Sequence, residues 1–165
     1  MDNIIFEYHF SPGFIGDFVL KDLYISNTFE FCLKFFWYIK FDHLPDNDFE
    51  RKQVRRFTTI KDKLSEDLEP KIKTILGLNL KIIVPKIVKS DKIIYSTSAH
   101  SKSEYYKLEI NKEEQTIHIP YNISETLIEG ENKELFLNFH HELQSWIEEE
   151  FEIASEGKAA RFNKK

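Results

Sequence analysis

The chain has 165 residues, with 28 Asp and Glu against 23 Lys and Arg, a net charge of −5 and a pI near 5.7. Hydrophobic residues make up 41% and aromatic residues 15%, with 5 Gly, 5 Pro and a single cysteine. This balance argues against a disordered or linker-rich chain, disfavours bulk attraction to nucleic acid or anionic membranes, and rules out an intrachain disulfide.

A chain of this length is expected to form one domain, here residues 1–156, burying roughly 70% of its unfolded surface. The small, basic segment 157–165 is expected to be a mobile tail. Met1-Asp2-Asn3 is acidic where a signal peptide is basic, and no small-residue cleavage site follows. No apolar run reaches the ~20 residues that span a bilayer. With one cysteine besides, the expected location is the cytoplasm, away from membranes.

Residues 4–10 alternate as a strand does, and Ser11-Pro12-Gly13 ends them with turn chemistry. Residues 18–25 read as a second strand, and Ser26-Asn27 as its hairpin link to a third. That third strand, 28–40, is the strongest signal in the chain. Phe29, Phe31, Leu33, Phe35, Trp37 and Ile39 recur at every second position, so one face of the strand is wholly apolar. It is expected in the interior of a sheet. A polar loop containing Pro45 follows over 42–48.

The period then changes. Val54, Phe57, Ile60, Leu64 and Leu68 are three or four apart, which predicts one face of a helix. Leu68, Ile72, Ile75 and Leu76 extend it, with Asp67 as N-cap and Gly77 as stop. Pro70 either separates two short helices or sits in the first turn of the second.

Strands return over 80–89, where Pro85 marks an edge or a bulge, and over 92–97. Residues 104–110 place Tyr106, Leu108 and Ile110 on one face, and a turn at 111–114 leads into 115–119. These short connections predict an antiparallel meander. An amphipathic helix is expected over 132–153, with Phe136, Phe139, Leu143, Trp146 and Ile147 as its stripe. The expected class is therefore α+β: an antiparallel sheet of about six to seven strands, a central helical segment, and a long C-terminal helix packed on the sheet.

No phosphate-binding loop, dinucleotide fingerprint, zinc spacing, calcium loop or DNA-binding motif occurs. No cofactor, metal site or catalytic residue is therefore assigned. In His140-His141-Glu142 the two rings point about 100° apart on a helix. A helical zinc pair needs ligands at i and i+4, and position 145 is serine. His140 reads as a core-edge residue and His141 as a surface one. His118 should face away from the row that Ile117 and Ile119 form. His100 lies in a polar stretch with Ser96, Thr97, Ser98 and Ser101, without a nucleophile elbow. Cys32 falls opposite the apolar row and reads as an inert thiol.

Glu148, Glu149 and Glu150, with Glu142, Glu152 and Glu156, crowd negative charge at a helix C-terminus, where it opposes the macrodipole. Glu150 falls close to the apolar stripe, and Trp146 within it reads as core. The expected function is a stoichiometric protein-binding module, an immunity- or antitoxin-type inhibitor whose Glu148, Glu149, Glu150 and Glu152 meet a basic partner protein. The alternative is a nucleic-acid-associated factor using Arg51, Lys52, Arg55 and Arg56 on a basic helix over 51–63. A third reading is an enzyme assembled from dispersed residues such as His100, His140 and neighbouring carboxylates.

Overall fold

The computed structural model describes residues 3–12, 19–39, 54–78, 81–82, 103–110, 113–119, 128–129 and 132–156. In chain order the elements are β1 (Ile4–Ser11), β2 (Leu20–Ser26), β3 (Glu30–Ile39), β4 (Val54–Lys63), α1 (Leu68–Leu76), β5 (Lys81–Ile82), β6 (Ser103–Ile110), β7 (Glu113–His118), β8 (Ile128–Glu129) and α2 (Lys133–Ser155). Six strands form one antiparallel sheet in the order β4-β3-β2-β1-β6-β7, and β5 pairs with β8 as a separate two-stranded unit. The fold is α+β, with a long C-terminal helix, as the sequence predicts. The expected loop at 42–48, most of the strand expected at 80–89, the strand at 92–97 and the tail at 157–165 lie outside the described residues.

The aromatic strand sits one place in from the sheet edge. Its odd residues Phe31, Leu33, Phe35 and Trp37 are all buried, so the period of two has put the apolar row under the helix. The turn before it has three residues, and Phe29 adopts a left-handed backbone (φ 58°) where glycine would be the unstrained choice. Three interactions hold that residue in place. Its amide donates to Ser26 O at 3.0 Å, its carbonyl accepts from the Leu64 amide at 3.0 Å, and the Lys73 ammonium lies 4.6 Å from its ring centre.

The first helix expected, through Val54, Phe57 and Ile60, does not form over 54–63. That segment is β4, paired residue for residue with β3 from Glu30↔Lys63 to Ile39↔Val54. A spacing of three shares one face only in a helix, but Val54, Phe57, Thr58, Thr59 and Ile60 are β-branched or aromatic, so they suit a pleated surface. As a strand the segment splits its apolar residues. Ile60 packs against the core, whereas Phe57 faces the other way and is 65% exposed.

The second helix, α1, begins where expected and holds Pro70 in its first turn. Leu68, Ile72 and Ile75 are buried. Asp67 makes no side-chain cap. Instead Ser65 Oγ accepts from the Leu68 amide at 3.2 Å. Gly77 ends the helix with its amide donating to Lys73 O and Thr74 O, in an ordinary right-handed conformation.

α2 crosses the sheet from β6 to β3. Phe136 meets Tyr106 edge-on, Phe139 meets Phe6 of β1, Trp146 meets Phe31, and Phe151 meets Phe35 and Trp37. Phe136, Phe139, His140, Leu143, Ile147, Phe151 and Ser155 are its buried residues, spaced by one to four positions as a core-facing helix requires. Phe151 extends the predicted stripe by a full turn, while Trp146 is half-buried at its margin. Edge-to-face contacts of this kind contribute about 0.5–1.5 kcal/mol beyond the area they bury.

Replacing Phe139 with Ala should cost about 3–5 kcal/mol in urea unfolding, because the ring leaves a cavity among Phe6, Tyr106 and Phe136. Phe57→Ala should change stability by no more than about 0.5 kcal/mol, as for a surface site. A large loss at position 57 would mean that the ring is buried and not exposed as the strand places it.

Candidate functional site

Strand register decides which polar groups face the helix. Glu104 shares its parity with Tyr106 and Leu108, so it is turned inward with them and is 3% exposed. Tyr8 Oη donates to Glu104 Oε1 at 2.8 Å, and Gln144 Nε2 donates to the same oxygen at 2.8 Å. His140, 2% exposed, places Nε2 3.7 Å from that oxygen, and its Nδ1 lies 2.6 Å from Tyr106 Oη. Burial holds both tyrosines well above their ordinary pKa, with the neighbouring Glu104 adding to the effect. Both hydroxyls therefore keep their protons. A His140 tautomer with its proton on Nε2 would accept from Tyr106 at Nδ1 and turn that proton toward Glu104. The result is a chain of polar contacts from β6 through β1 to α2.

Beside this chain, between the first two strands and the helix, lies a cleft of about 410 Å³ lined by Tyr8, Phe10, Lys21, Gln144, Ser145, Ile147 and Glu148. Lys21 and Glu148 form an ion pair 2.5 Å apart across it. Tyr8 and Gln144 line the cleft, and each donates one hydrogen bond to Glu104. Sequence reasoning placed His140 at the core edge correctly but missed Glu104. The signal was its parity with Tyr106 and Leu108.

The opposite sheet face carries a second cluster. His9 Nδ1 lies 2.8 Å from Asp22 Oδ1 and Nε2 lies 2.9 Å from Glu7 Oε2, while the ring stacks on Tyr105 with centres 4.7 Å apart. Lys107 approaches Glu7 at 3.9 Å, Lys34 sits over the Tyr24 ring at 4.8 Å, and His118 stands beside Tyr105. The Asp22 hydrogen bond raises the His9 pKa above its usual value; burial opposes this and the Glu7 hydrogen bond assists it. Cys32 is buried on this face.

The acidic residues of α2 divide. Glu149 and Glu152 are exposed, and Glu148 and Glu150 are half-buried. Glu142 pairs with Lys71 at 2.8 Å. On β4, Arg55 and Arg56 are both exposed but, as neighbours in a strand, point to opposite faces. The described part of the expected basic helix is thus a strand, with Arg55, Lys61 and Lys63 on one face and Arg56 on the other. Arg51, Lys52 and the group around His100 lie outside the described residues. His141 and His118 are exposed, the latter turned away from Ile117 and Ile119 as predicted. Among the described residues no group of three or more His, Cys, Asp or Glu side chains is placed to hold a metal ion, and no helix is long and apolar enough to cross a membrane.

Two outcomes test this geometry. Tyr8→Phe removes one donor from a buried carboxyl and should cost about 1–3 kcal/mol in urea unfolding. For His9, a folded pKa above the unfolded value of about 6.5 means that its pairing stabilises fully below that pH and fades as pH rises through the folded value. The stability difference between the native chain and His9→Asn should therefore shrink as the pH is raised from about 6 to 8, and the His9 ring should titrate above about 6.5 by NMR. A difference that grows over that range would reverse the assignment.

The chain matches no protein-family model, no curated protein and no solved structure.

Proposed function

We propose that this chain is a stoichiometric protein-binding module, an inhibitor of immunity or antitoxin type that captures a basic partner on the outward face of α2. The observation that carries this reading is Ile153, 74% exposed on the last turns of the helix and flanked by the exposed Glu149, Glu152 and Glu156. An apolar anchor within a charged rim is the usual anatomy of a recognition surface. The last turn of the helix contains no basic residue, and carboxylates there oppose the macrodipole, so helix stability alone does not favour them. Its inward face is already occupied by the sheet, so the outer face is available at little structural cost. Glutamates arranged in this way would steer a basic surface toward the helix and speed association, which suits an inhibitor that must act quickly.

The four glutamates do not carry equal weight in this reading. Glu149 and Glu152 form the rim, while Glu148 braces the sheet through Lys21. The double variant Glu149→Lys/Glu152→Lys should lose a basic partner that the native chain recovers from its host at fixed stoichiometry. Its circular dichroism should stay unchanged. Equal recovery by both forms, or recovery of an acidic partner alone, would remove the proposal.

A further inference from the structure

Strand β4 is a ten-residue edge. It is the terminal strand of the six-stranded sheet, and among the described residues its backbone is paired on one side only. Arg55, Arg56, Phe57, Thr59, Lys61, Asp62 and Lys63 are exposed along it. Such an edge is a template for a further strand. Proteins commonly guard it with cations, and the four here, against one carboxylate, would set like charge against like charge if two copies paired through this edge.

That guard does not explain Phe57. The register places it opposite Phe36, and Phe36 opposite Leu20, so an apolar row crosses three strands on the face away from α2. Leu20 is 37% exposed and Phe57 65% exposed, so the row opens toward the edge. Arg55, Lys61 and Lys63 share the parity of Phe57 and flank it along β4. An exposed phenylalanine at the middle of an otherwise guarded edge works against the guard, unless the edge receives a strand of the opposite charge.

We infer that β4 is a docking edge for an extended acidic segment of a partner protein. The segment adds to the sheet through main-chain hydrogen bonds, seats an apolar side chain against Phe57, Phe36 and Leu20, and sets carboxylates against Arg55, Lys61 and Lys63. Charge complementarity selects this occupant over a second copy. The backbone edge and the apolar row select it over nucleic acid, which offers neither a strand nor an aliphatic anchor. This surface is separate from the outer face of α2, and the inference does not depend on the reading given for that helix.

The test is fluorescence anisotropy on the intact chain. The probe is a labelled ten-residue peptide with Val at its centre, Glu on either side of it on the same face, and Thr on the other face. The native chain should bind it. Peptides N-methylated on alternate residues should lose at least tenfold in affinity for one of the two edges, since only one edge pairs with β4. Phe57→Asp and, separately, Arg55→Glu/Lys61→Glu should each lose at least tenfold with unchanged circular dichroism, whereas Glu149→Lys/Glu152→Lys should bind as the native chain does. No binding of the peptide, equal binding of all N-methylated forms, tighter binding of a single-stranded oligonucleotide, or a dimer in light scattering that Phe57→Asp dissociates would each overturn the inference.

Discussion

Glu104 sits beneath α2 with its carboxyl removed from solvent, and a carboxyl taken out of water is costly unless hydrogen bonds replace its hydration. Among the described residues two other elements supply such bonds. Tyr8 supplies one from β1, which lies 96 positions earlier in the chain, and Gln144 supplies another from α2. Apolar burial has no direction and would tolerate several sheet arrangements. The Glu104 network does not. A two-residue slip of β6 against β1 would keep Tyr106 and Leu108 facing the helix but carry Glu104 away from Tyr8 and Gln144. The network thus selects the register in which Tyr106 lies opposite Tyr8, and this register joins the two halves of the sheet.

That junction also sets where α2 can lie. Gln144 and His140 must stay within reach of Glu104, while Phe136 and Phe139 reach Tyr106 and Phe6, and Phe151 reaches β3. One helix of 23 residues, roughly 35 Å long, satisfies all of these only by crossing the sheet obliquely. The crossing fixes the helix's rotation about its own axis. Residues 142, 145, 149 and 152, a turn apart, must then point outward, and three of them are glutamate. The acidic outer face and the buried polar network are two consequences of the same placement.

The fold was largely legible because its two strongest patterns are long. Alternation over the aromatic strand and a helical stripe of three to four residues over α2 leave no competing reading. From Val54 to Ile60 the apolar spacing fits a helix and not an alternating strand, and only the β-branched and aromatic content, weighed against that spacing, favours a strand. Asp67 looked like a cap by residue type, yet Ser65 holds the amide, since a cap depends on backbone placement that composition does not reveal. Glu104 was missed for a different reason. A charged residue in a strand is ordinarily assigned to solvent, and its partners Tyr8, His140 and Gln144 are distant in sequence. The acidic and basic groups were visible as composition, but which of them share a face was settled by the register of β4 and the rotation of α2.

The molecule thus carries negative charge on the outer side of a helix and positive charge along a strand edge, which raises the prospect of copies joining head to tail in an open chain. Two physical limits oppose this. Attraction between exposed charges is screened over about 8 Å at physiological salt, so it guides encounter without holding a complex. Among the described residues the edge of β4 also presents unpaired backbone donors and acceptors, whereas the body of a helix has already spent its own within itself. The outer face of α2 can neutralise Arg55 and Lys61 but cannot satisfy the strand beside them. A segment that paired with that edge would have to arrive extended, with its own backbone groups still unspent.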